Sequence, residues 1–272
     1  MKKNHKLLPP IKPSAKIDRE YRYALFALID QMQKSVEWYC KAAFKPVEKE
    51  SEKLGLMDAD PVNHLQKIIN EVKKRYIKRF NELAGKLPKQ VVEKIAKEVK
   101  RKIKSHLIDE MTVDLKFSKA QKMLLNALTK ENVTLIKSIP MEYFKRVEYD
   151  IMSTVSEGRD MATLSDKLSK GYGITRRRAI MIAYDQTNKI TEKFDRAEKL
   201  ELGLYQAEWK HSHAPQEPRP SHLAADGKTY DIRKGMYIVE KNKKGKVIYR
   251  GWCHPAERPN CNCFSRTILP IK

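Results

Sequence analysis

From position 18 onward, apolar residues fall at steps of three and four. Tyr21, Leu25, Leu28, Met32, Val36, Tyr39 and Ala43 form one stripe, which predicts an amphipathic helix capped by Asp18. Leu65, Ile68, Ile69, Val72, Tyr76, Phe80 and Leu83 predict a second helix over 62–84, ended by Gly85 and Pro88. Val91, Ile95, Val99, Ile103 and Leu107 repeat every four residues and predict a third over 90–108. Ser118 is placed to cap the next segment, which reads as helix, turn and a short apolar stretch ending at Pro140. Helical spacing returns over 141–157 and 160–170, separated by Gly158. Gly171 and Gly173 then read as a break, and Thr175 as the cap of a long helix that Gly203 ends. Arg176, Arg177 and Arg178 at the start of that helix oppose its dipole, so an anionic partner beside them is expected.

Beyond Gly203 the period changes from helical to alternating. Residues 205–211 read as a strand, and 228–232 and 246–250 as short strands beside the turn residues Asp226, Gly227 and Gly245. The fold class expected is α+β: a mostly helical N-terminal and central region, then a small C-terminal module with short antiparallel strands, at about 204–272. Ahead of the first helix, Pro9, Pro10 and Pro13 among lysines make 1–16 an extended basic arm.

Charge changes this picture more than composition does. Lys and Arg number 56 against 34 Asp and Glu, a formal net charge of +22 that calls for a polyanionic neighbour. The densest basic segment lies on the third helix: Lys94, Lys97, Lys100, Arg101, Lys102 and Lys104. Each lysine taken singly reads as a solvated face; together they can neutralise phosphates and release counterions, giving sequence-independent affinity for nucleic acid. No run of about 18 apolar residues is present, so no membrane partner is expected, and the basic N-terminus lacks the apolar core of a secretory signal.

Metal-capable side chains are concentrated near the C-terminal end. Cys253, Cys261, Cys263, His211, His213, His222 and His254 all lie between Trp209 and Arg266. Zinc takes four thiolate or imidazole ligands in a tetrahedron, and Cys253, Cys261, Cys263 and His222 would supply them, with His254, His211 or His213 as substitutes. Buried free cysteines, or a disulfide in an oxidising compartment, are the alternatives. Arg219, His222 and Asp226 would suit a phosphate ester, but the sequence offers neither a second acidic cluster for two metal ions nor a nucleophile beside a base. Trp209 and Trp252 read as core or strand-facing anchors; an exposed aromatic among basic residues would instead stack on bases.

Read in order, several short pieces resemble the phage Mu F-like minor head protein family. They are Asn132-Val-x-x-Ile136-Lys-Ser-Ile-Pro140, Arg178-Ala-x-x-Ile182-Ala-x-x-Gln186-x-x-Lys189, the strand with Trp209, Arg219-x-x-His222, Asp226-Gly227-Lys228, Gly235-Met-Tyr237 and Asn260-Cys261-x-Cys263-x-Ser265-Arg266. The chain departs from that family's pattern at Arg258, where a His is common, and at Asn262, where an Arg is common. The resemblance covers the C-terminal half, so 17–129 would be a helical region contacting a partner or DNA and 130–272 a head morphogenesis domain. It implies a structural, non-enzymatic head protein of a tailed phage or prophage, acting at the portal in capsid assembly and in DNA packaging or delivery. Its partners would be portal protein, scaffold or major capsid protein and double-stranded DNA. It would reside in the virion head, and in the bacterial host cytoplasm during assembly. A metal-dependent nuclease or toxin-like enzyme in the C-terminal module, or a DNA-binding protein unrelated to capsids, are the competing functions.

Overall fold

The computed structural model describes residues 6–54, 59–107, 111–157, 160–213, 218–242 and 244–270, excepting the side chains of 44–54 and 59–63. Gly158 and the first five residues of the basic arm lie outside the described residues. The chain order is β1 (Lys6–Leu7), α1 (Ala15–Leu54), α2 (Ala59–His106), α3 (Lys119–Ser156), α4 (Met161–Glu201), β2 (Gln206–Lys210), α5 (Pro220–Leu223), β3 (Thr229–Asp231), β4 (Met236–Lys241), β5 (Val247–Cys253) and β6 (Phe264–Leu269). The fold is α+β, with long helices followed by a small antiparallel module. Among the described residues no helix is long and apolar enough to cross a membrane.

The helices are longer and fewer than the punctuation of the sequence predicts. Pro88 and Pro140 sit inside α2 and α3, and Gly171 and Gly173 sit inside α4. Buried residues on either side of each breaker account for this: Phe80, Ala84, Val91, Val92 and Ile95 around Pro88, and Ile136, Ile139, Tyr143 and Phe144 around Pro140. Tertiary packing then outweighs the one backbone hydrogen bond that an internal proline forfeits. Gly171 serves close approach, since a Cβ there would lie 3.1 Å from Cδ of Arg146 on α3. Thr175, expected as a cap, instead donates its hydroxyl to the Gly171 carbonyl at 2.9 Å in mid-helix. Asp18 lies in the first turn of α1, its N–H bonded to the Ser14 carbonyl, and does not cap it. Two expected ends do hold: the Ser118 hydroxyl caps the N–H of Gln121 at 3.1 Å, and Gly203, at φ +73°, follows α4.

The chain divides into two compact units assembled from separate stretches. One consists of Arg19–Pro88 and Thr129–Ile182, and its elements among the described residues are all helices. Its core comprises Tyr21, Leu25, Ile29, Met32, Val36, Cys40, Phe80 and Phe144, so the first stripe turns inward through Ile29 and Cys40, leaving Leu28 and Tyr39 half-buried. Tyr21 donates to Asn132 Oδ1 at 2.9 Å inside it, which gives Asn132 a buried structural role. Two of the three arginines meet anions within this unit. Arg176 pairs with Asp30 at 2.7 Å, and Arg178 with Glu142 at 2.8 Å.

The other unit consists of Met1–Asp18, Lys89–Leu128 and Ala183–Lys272. Its four-stranded sheet has the order β1-β6-β2-β3, antiparallel throughout, and β4 and β5 form a separate hairpin. Part of the basic arm is ordered here, with Lys6 opposite Leu269 and Leu7 opposite Ile268 on the sheet edge. Strands β4 and β6 escape a reading of the sequence because their apolar runs are short.

Candidate metal centre

The core of the strand module contains Ala207, Trp209, Ala225, Tyr230, Ile232, Ile238, Cys253, Cys261 and Cys263. Local geometry brings the last two cysteines inward. Asn260 adopts φ +58°, which an asparagine tolerates, and its N–H bonds to Asp185 Oδ1 at 2.7 Å. Asn262, between the cysteines, accepts from Asn188 Nδ2 at 3.0 Å. His222 comes from α5, which follows Arg219 and has Pro220 in its first turn.

His222, Cys261 and Cys263 form a buried group whose ligand atoms all lie within 4.8 Å of one another, and they can hold a metal ion. His222 Nδ1 is 3.3 Å from the Cys261 sulfur and 3.5 Å from the Cys263 sulfur. A tetrahedral zinc, with bonds of about 2.0–2.1 Å to nitrogen and 2.3 Å to sulfur, separates N and S ligands by about 3.6 Å. Those spacings also suit an S–H···N hydrogen bond. What favours a metal is the opposite side of the ring, where Nε2 lies 3.4 Å from Glu240 Oε1 and has no hydrogen bond of normal geometry. A proton on Nε2, held toward a carboxylate, leaves the Nδ1 lone pair facing the thiols, the usual support of a histidine ligand.

Glu240 is only 6% exposed and has two cations beside it. Arg219 Nε stands 3.5 Å from Oε1, and an Arg258 guanidinium nitrogen 3.4 Å from Oε2. Arg219 also donates to the Pro259 carbonyl at 2.8 Å, tying α5 to the loop before the cysteines. Arg219 therefore pairs with a carboxylate and a carbonyl. Arg258, which departs from the family pattern, belongs to the same support.

The two neighbouring thiols hold their protons unequally. A hydrogen bond from Cys263 lowers the Cys261 pKa against the effect of burial, with His222 adding to it, while the same contact and burial raise that of Cys263. The Trp209 indole N–H has no partner at normal hydrogen-bond distance, yet it acts to lower the Cys263 pKa.

Two expected ligands are not in this group. Cys253 belongs to the same core, but its thiol turns to the His254 carbonyl at 3.3 Å and burial raises its pKa to about 12. His254 packs beside Glu192, Lys193 and Arg196 of α4, and burial, then Arg196, lowers its pKa to about 4. Cys253 ends β5, and His254 follows it just before the turn at Pro255. All four cysteines are free. His211 and His213 meet each other edge-to-face at 4.9 Å instead of joining the group.

The remaining motif residues are structural. Trp209 is fully buried and meets His222 edge-on at 5.3 Å. Asp226 accepts from the His211 N–H at 2.9 Å, which holds its carboxyl below the usual range, and Gly227 N–H bonds to the Trp209 carbonyl at 2.8 Å. Gly235, at φ +86°, has the carbonyl of Cys253 where a Cβ would lie at 2.6 Å, so only glycine fits. Trp252, read as an anchor, is 57% exposed.

The basic segment of α2 also divides. Lys94, Lys97, Arg101 and Lys104 share one solvent-facing stripe. Lys100 does not belong to it: it is 3% exposed, with its ammonium 2.5 Å from Glu198 and 3.0 Å from Gln121. Helical periodicity turns Lys100 inward beside Val99 and Ile103, a rotation that a list of lysines conceals. Lys102 is half-buried, paired with Glu98 at 2.6 Å and donating to the Lys12 carbonyl at 3.2 Å.

No family model matches the chain, and no solved structure matches it. An uncharacterized protein of Haemophilus influenzae is 28% identical over 148 residues, which is 53% of this chain and 29% of that protein. The chain thus spans well under half the length of the relative it matches.

Proposed function

We propose that this chain is a structural minor head protein of a tailed phage or prophage, acting in capsid assembly at the portal and in DNA packaging or delivery. The observation that carries the reading is convergence. Trp209, Cys261 and Cys263 share one core; His222, Gly227 and Gly235 contact its members, and Arg219 and Asn260 hold the segments that complete it. A set of motif residues with a common structural purpose is better support for a family likeness than the same residues dispersed over a surface.

Within that module the metal is zinc, held by His222, Cys261 and Cys263. Two thiolates and an imidazole suit it, and a core this small gains from a staple. Double-stranded DNA is met by the stripe of Lys94, Lys97, Arg101 and Lys104, without sequence preference. The other partners are portal protein, scaffold or major capsid protein, and the places are the virion head and the host cytoplasm during assembly.

Deletion of the gene from an inducible phage tests this reading. Shells should form, but the particles should carry too little DNA or fail to deliver it, and the intact chain should co-purify with portal protein from procapsids. Full infectivity of the deletion particles overturns it.

A further inference from the structure

The β4–β5 hairpin presents a face that the metal centre does not use. Strand alternation sends Ile238, Glu240 and Cys253 inward and leaves Tyr237, Val239, Ile248, Arg250 and Trp252 outward. Tyr237 and Trp252 are directly opposed in the ladder, 50% and 57% exposed, with ring centroids 5.7 Å apart at 76°. Exposed aromatics of this size, joined by Ile248 at 60%, mark a binding surface more often than chance solvent exposure.

The charge around them selects the partner. Residues 236–253 contain Lys241, Lys243, Lys244, Lys246 and Arg250 against a single acid, Glu240. Glu240 is buried on the opposite side between Arg219 and Arg258, so it does not offset the outer face. A protein groove that takes apolar side chains has no need of this density of cations. Phosphates need cations, and bases need open aromatic faces, which a stacked duplex does not offer them.

We propose that the outer face of the β4–β5 hairpin binds single-stranded nucleic acid, with Trp252 and Tyr237 stacking on unpaired bases and Arg250, Lys241 and Lys246 meeting the phosphates. The site is separate from the α2 stripe and stands independently of the head-protein reading, because it asks only for unpaired bases.

Fluorescence anisotropy of a labelled short oligothymidylate, against a duplex of equal length, tests this with the full chain. Trp252→Ala should weaken binding of the single strand about tenfold, the effect of losing one stacked base. Trp252→Phe should restore most of it. Duplex affinity should be unchanged in both, whereas Lys97→Gln with Arg101→Gln and Lys104→Gln should weaken the duplex more than the single strand. A measurement that leaves the hairpin intact uses Trp38→Phe, which removes the exposed tryptophan of α1. Oligothymidylate should then quench the remaining exposed indole, Trp252. Absence of quenching, wild-type affinity in folded Trp252→Ala, or equal losses for duplex and single strand overturns the proposal and assigns the face to a protein partner.

Discussion

His222 Nδ1 lies 3.3 Å from the sulfur of Cys261, a residue 39 positions further along the chain. The contact joins α5 to the loop before β6, two short segments with little core of their own. A metal there would act on folding directly, because the unfolded chain holds the ligands far apart. Cys261→Ser, or chelation, should destabilise the strand module by at least about 3 kcal/mol while the long helices keep their far-UV signal. Purified chain should carry one zinc. Metal-free protein with a protease-resistant module ends the zinc assignment.

Glu240 reaches the same centre through the far side of the imidazole, at 3.4 Å from Nε2. Glu240→Gln retains the shape and removes the charge that orients the ring. Zinc affinity should fall about ten- to a hundredfold, as expected for a carboxylate supporting a histidine ligand. Competition with a coloured chelator measures it, and an unchanged affinity would show that His222 is oriented by packing against Trp209 alone.

The fold class and three of the four expected metal-capable residues, His222, Cys261 and Cys263, were legible as a group in the sequence, and for one reason: periodicity and residue type are local. The stripe Val91, Ile95, Val99, Ile103, Leu107 is buried at every position. Breakers misled because Pro88, Pro140 and Gly171 are outweighed by packing that only the folded chain supplies. Cys253 and Lys100 misled for a related reason, since direction along a strand or around a helix decides what each side chain meets. The support of His222 by Glu240 was not visible at all. A lone glutamate amid lysines carries no signal, although an acid at an inward position of an alternating strand is in retrospect the one available hint.

Lys100 and its exposed neighbours should separate cleanly in experiment. Lys100→Ala leaves Glu198 as a buried charge with its cation removed, and a cost of about 3–5 kcal/mol is expected. Lys97→Gln, Arg101→Gln and Lys104→Gln should each change stability by no more than about 0.5 kcal/mol. Together those three should reduce the slope of log affinity for duplex DNA against log salt by about 2.7, at roughly 0.9 per phosphate contact. An unaltered slope moves the duplex site away from α2.

Glu192 sets a pH dependence of opposite sign to that of an ordinary carboxylate. Burial, then the nearby Asp195, pushes its pKa from 4.5 up to about 7, while Ser265 donates to it from β6. Between those two values the folded chain holds a proton that the unfolded chain has released. Its contribution to stability is therefore fully present below about pH 4.5 and is lost as pH rises through about 7. Glu192→Gln mimics the protonated form at every pH. The variant should match the wild type near pH 5 and exceed it near pH 8, by a few kcal/mol at most because Asp195 and Lys199 share the site. Urea unfolding at both pH values measures this, and a wild type that gains stability from pH 5 to 8 relative to the variant would place an ionised Glu192 in the folded state.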